Sequence, residues 1–101
     1  MKRNITGEEI IINDEKFLLP PLPLVKLAKI GKLMQGGNTF EDEEYVVAII
    51  DAIFWSLQRN YPEVERQMIE DNLDITNFQT ILDAFMSVNK LIQKGEELGE
   101  A

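Results

Sequence analysis

The sequence predicts a small, mainly α-helical domain in which an N-terminal β-hairpin is followed by about four helices packed as one unit. Three observations point to it. The chain has 101 residues, the length of one domain. Its 45 % hydrophobic and 28 % charged content is that of a folded globular protein. Apolar residues recur at three- and four-residue spacing from Leu24 onward, whereas the β-branched run Ile10-Ile11-Ile12 lies near the start.

Residues 9–19 read as a hairpin. Ile10-Ile11-Ile12 and Lys16-Phe17-Leu18-Leu19 are the two strands, and Asn13-Asp14-Glu15 supplies turn chemistry. Pro20, Pro21 and Pro23 end it, because proline gives no N–H to a ladder and suits the first turn of a helix. The spacing then predicts a helix over 22–35, with Leu24, Leu27, Ile30 and Met34 on one face and Lys26, Lys29 and Lys32 on the other. Gly36-Gly37-Asn38 stops it.

A second helix is expected to open at Thr39, with Glu41, Asp42, Glu43 and Glu44 in a first turn that favours negative charge. Val46, Ile49, Ile50, Ile53 and Leu57 form its main stripe, and Tyr45, Ala48, Ala52 and Trp55 a flanking one. A helix apolar on most sides is either the hub of the domain or keeps a stripe for a partner. Pro62 breaks it and begins a short third helix over 62–72, with Val64, Met68 and Ile69 inward. Asp74 or Thr76 caps a fourth, 76–94, whose stripe is Phe78, Ile81, Leu82, Phe85, Val88 and Ile92. The domain is thus expected over 1–94, with residues 95–101 a flexible acidic tail.

Composition excludes several chemistries. With no cysteine and no histidine, the chain has no disulfide, thiolate nucleophile, histidine base or common zinc site. The Glu41–Glu44 run reads as a solvated helix start, and no calcium-loop pattern accompanies it. Asp51, inside an apolar helix, needs a partner, and Arg59 two turns on is a distant one. The expectation is a protein with no catalytic activity, no cofactor and no metal. A net charge of -8 disfavours nucleic acid, and no stretch has the length of a membrane span. A cytoplasmic location is expected, since acidic residues interrupt any signal-like start after Lys2 and Arg3. Charge is uneven: residues 1–40 carry six basic and four acidic side chains, residues 41–101 four and fourteen, a net of +2 against -10. Such a division suits internal complementarity, head-to-tail self-association or a basic partner.

Leu57-Gln58-Arg59-Asn60-Tyr61-Pro62, followed by Asn72-Leu73-Asp74-Ile75-Thr76-Asn77-Phe78, resembles the small tail assembly chaperones of long-tailed bacteriophages. The resemblance extends to the order of parts: a hairpin with the Leu19-Pro20-Pro21-Leu22-Pro23-Leu24 exit, an amphipathic helix, the junction motif and an Asp-x-x-Asn-Phe start to the last helix, over most of 9–92. The chain departs from that pattern at Asn89-Lys90, where many such proteins have Ser-Gly. The resemblance implies a non-enzymatic protein of a phage or prophage. Its client would be the long, helical tape measure protein, kept soluble until the tail tube polymerises around it. A longer frameshifted form would recruit tail tube protein, this chain matching the shorter form. Several copies along one client make a homo-oligomer plausible.

Tyr45, Trp55, Arg59, Tyr61 and Phe85 are the candidate partner contacts. Arg59 is expected to fix the junction by hydrogen bonding, with Tyr61 packed beside it. A second reading makes the chain an acidic regulatory protein occupying a basic surface on a host nucleic-acid-binding protein.

Overall fold

A computed structural model describes residues 6–34 and 41–90. The architecture is a small mainly-α domain in which a two-stranded antiparallel hairpin precedes four helices: β1 (Glu8–Ile12), β2 (Glu15–Leu19), α1 (Leu24–Met34), α2 (Glu43–Asn60), α3 (Arg66–Asn72) and α4 (Phe78–Val88). The predicted stop at Gly36-Gly37-Asn38, the Thr39 cap, Ile92, the 95–101 tail, Lys2, Arg3 and the side chains of Lys32 and Met34 lie outside the described residues.

Alternation sets the hairpin. Ile10 and Ile12 of β1, and Phe17 and Leu19 of β2, point to one face and are buried. Register runs from Glu8 opposite Leu19 to Ile12 opposite Glu15, leaving Asn13-Asp14 as a two-residue turn. Both turn residues have positive φ, 56° and 62°, the geometry that matches the right-handed twist of the strands. Gly7, just before β1, passes so close to the Leu19 carbonyl that a Cβ there would overlap it.

Two strands cannot bury a face alone. Here β2 rests on α2, and α4 packs against both strands. α2 also carries α1 and α3, so it is the hub. Its buried residues are Tyr45, Ile49, Ile50, Ala52, Ile53, Ser56, Leu57 and Asn60. Ile69 of α3 and Ile81, Leu82 and Phe85 of α4 complete the core. Phe85 is fully buried, and truncating such a ring costs about 3–5 kcal/mol.

Several expected boundaries move. α2 starts at Glu43 with Asp42 at its N-cap, later than the predicted Thr39 start. Pro62 does not begin α3: residues 62–65 form a turn and an extended segment, and Glu65 is the N-cap. α4 starts at Phe78, after an Asx network in which Asp74 accepts from the Thr76 N–H (2.9 Å) and hydroxyl. Side-chain bonds to nearby backbone compete with the helix there. Leu24, expected inward, is 79 % exposed, and Val25 is 71 % exposed, because α1 turns only its later residues, notably Ile30, into the core. Asp51 is not a buried orphan. It is one-third exposed and accepts from Arg66 Nε at 2.6 Å, so its partner is Arg66 rather than Arg59. That bond, with a second from Arg66 to Glu70, holds the guanidinium above its ordinary pKa.

Candidate functional site

The junction motif is a clamp on the hairpin exit. α2 ends at Asn60, and its last residues project toward β2 and the proline segment. The Leu18 N–H donates to the Tyr61 hydroxyl at 2.7 Å, and Asn60 Nδ2 donates to the Leu18 carbonyl at 3.2 Å. Arg59 donates to the Pro21 carbonyl at 2.6 Å. The Tyr61 ring meets Phe17 edge-on, centroids 5.1 Å apart at 87°. One residue beyond Pro21, the Leu22 N–H donates to Asn89 Oδ1 at 2.8 Å, while Asn89 Nδ2 donates to the Phe85 carbonyl. A proline-rich exit has few N–H groups and several carbonyls, so side chains from α2 and α4 supply what a sheet would have given it.

The clamp leaves a groove. Phe17, Tyr61, Val64 and Met68 line it together with Glu15, Glu63 and Glu65, and it encloses about 400 Å³. Phe17 is buried, whereas Tyr61, Val64 and Met68 keep part of their surface. All three glutamates are exposed, and among the described residues no basic side chain lines the groove. Apolar and aromatic walls with an unbranched methionine adapt to varied apolar side chains. Carboxylates around them favour a partner carrying Lys or Arg beside its apolar stripe.

The five sequence-predicted contacts divide. Arg59 and Tyr61 come together at the clamp, and Tyr61 also lines the groove. Trp55 lies elsewhere, half-buried on the flank that faces α1, with Lys26 Nζ 4.4 Å from its ring centroid. Tyr45 and Phe85 lie at core positions, 7 % and 0 % exposed, because α2 and α4 turn those faces inward. Burial pushes the Tyr45 hydroxyl pKa up. Neither ring is offered to a partner in this conformation. Val64 and Met68, predicted to face inward, are partly buried and packed against the core, and both also line the groove, as does Phe17. The signal for them is the alternation Glu63-Val64-Glu65 after Pro62, which sets an apolar residue between two solvated carboxylates. Of the lysine stripe, Lys26 sits on Trp55, and no ion pair joins Lys26 or Lys29 to an acidic helix among the described residues.

Among the described residues no cluster of acidic side chains has the arrangement of a metal site, and no helix is long and apolar enough to cross a membrane. The fold and groove define the class: a small helical domain with a hairpin-clamped apolar groove and an acidic rim. No family model matches the chain, nor does any curated protein or solved structure.

Proposed function

We propose that the protein is a tail assembly chaperone of a phage or prophage, non-enzymatic, whose groove takes an amphipathic segment of the tape measure protein. The observation that carries this reading is the groove formed by Phe17, Tyr61, Val64 and Met68 under an acidic rim, built on the Arg59-Asn60-Tyr61-Pro62 junction on which the resemblance rests. An amphipathic helix lays its apolar stripe in such a groove and its basic flank along the carboxylates. A net charge of -8 favours solubility of the loaded complex. Leu24 and Val25 on α1 offer a second exposed apolar surface for a long client.

The test is co-expression with a tape measure protein of the same phage or prophage. The client becomes soluble and co-purifies with the native chain, and Met68→Asp loses it while still showing helical circular dichroism at the assay temperature. A client that stays insoluble, or is captured equally by Met68→Asp, refutes the proposal. The acidic rim also suits the second reading, a regulatory protein on a basic host surface. Capture abolished by salt would favour that reading, since an apolar contact survives screening.

A further inference from the structure

We propose that the free edge of β1 is a second binding site, one that takes an extended, lysine- or arginine-bearing peptide segment by strand addition. The site does not depend on the chaperone reading and lies on a different part of the surface from the Tyr61 groove.

Register decides which backbone groups are free. In a hairpin with a two-residue turn, the pair flanking the turn exchanges both hydrogen bonds, and pairs alternate from there. Ile12–Glu15, Ile10–Phe17 and Glu8–Leu19 are therefore the bonded pairs. Ile11–Lys16 and Glu9–Leu18 are the open ones, with N–H and C=O directed away from the ladder. Leu18 bears this out independently, because its N–H and carbonyl reach outward to Tyr61 and Asn60. The two edges are thus treated differently. The β2 edge is closed at Leu18 by the clamp. The β1 edge has no such closure: the outward N–H and C=O of Glu9 and Ile11 meet no partner among the described residues.

A row of unpaired strand groups is a template for another strand. Natural edges are blunted by proline, a bulge, an inward charge or a covering loop, and the β1 edge has no proline or bulge. It faces instead an open groove of about 510 Å³ whose far wall is the α3–α4 linker and the start of α4, including Asp74, Asn77 and Thr80. Ile11 is 55 % exposed beside it, an apolar contact for alternate side chains of an added strand.

Charge selects the occupant. Glu9, Asp14 and Asp74 line the groove, Glu9 with Lys16 Nζ 4.0 Å from its carboxylate, and among the described residues no basic side chain lines it. The Asp74 carboxyl is held below its ordinary pKa by hydrogen bonds from Thr76, so it stays charged. A second copy would bring the same three carboxylates and a net charge of -8 to the contact. A basic extended segment meets attraction in place of that repulsion.

The probe is a synthetic peptide of alternating lysine and valine, titrated into the isotopically labelled full chain. The comparison peptide has the same sequence with alternate amides N-methylated, which keeps charge and apolar surface and removes the strand hydrogen bonds. The expected result is saturable binding with the largest amide shifts at Glu9 and Ile11, at least tenfold weaker for the N-methylated peptide, and weaker again with Asp74→Asn. Equal binding of the two peptides, shifts centred on the Tyr61 groove, or concentration-dependent pairing of the chain through β1 without peptide would each overturn it. Loss of client capture by Met68→Asp leaves this outcome untouched, so the two proposals fail separately.

Discussion

Replacing Tyr61 with phenylalanine isolates one hydrogen bond of the clamp. The hydroxyl accepts from the Leu18 N–H at 2.7 Å, a contact 43 residues apart in sequence. The substitution keeps the ring and its edge-on contact with Phe17, so almost no apolar area is lost. What remains is an N–H on the β2 edge that has lost its acceptor. A fully buried orphan donor costs about 1–3 kcal/mol, whereas a well-hydrated one costs little. The Leu18 bond is part-buried, so water replaces the hydroxyl incompletely and a cost of about 1–2 kcal/mol follows. For a domain of this length each kcal/mol moves the melting temperature by about 4–8 °C. Thermal unfolding followed by circular dichroism should therefore show Tyr61→Phe melting about 4–16 °C below the native chain, and the Leu18 amide should exchange faster. Client capture should be retained at low temperature, because the hydroxyl is engaged by β2 and the ring still lines the groove. A melting temperature within about 1 °C of the native value, with Leu18 protection unchanged, would refute the clamp.

Ser56 is fully buried and its hydroxyl has no hydrogen-bond partner among the described residues, so Ser56→Ala should stabilise the domain by up to about 1 kcal/mol; a clear fall in denaturant midpoint would show that the hydroxyl is satisfied. Lys90 holds φ at 61°, just past the end of α4, where glycine is preferred, so Lys90→Gly should raise stability by about 1 kcal/mol, read as a higher melting temperature. Asp74 has its pKa lowered in the folded chain by the Thr76 hydroxyl and N–H, so its charged form favours folding above the ordinary value of 3.8. That contribution is lost as pH falls through the lowered value, and the gap in melting temperature between the native chain and Asp74→Ala should narrow in strong acid.

The Asn89-Lys90 departure gains a physical meaning in the fold. Asn89 closes the Leu22 N–H, and Lys90 sits in the left-handed conformation that a glycine takes without strain. A side chain in that conformation carries a cost that glycine does not.

The order and type of the elements are legible in local pattern alone. Alternation placed Ile10, Ile12, Phe17 and Leu19 on one face, and helical spacing made α2 apolar on most sides, because both periods are local properties of the backbone. Helix starts were less legible: Asp42 and Asn77 stand at N-caps without a side-chain capping bond, and a pattern of apolar residues does not fix such positions. Which apolar residues reach solvent was decided only in three dimensions. Phe85 and Met68 lie in equally regular helical patterns, yet one is sealed by the hairpin and the other is left at a groove, since exposure depends on which element arrives from far along the chain. The clamp is of the same kind. Arg59, Asn60 and Tyr61 are adjacent in sequence, but their acceptors and donors at Leu18 and Pro21 are about forty residues away, and no local period encodes such a meeting.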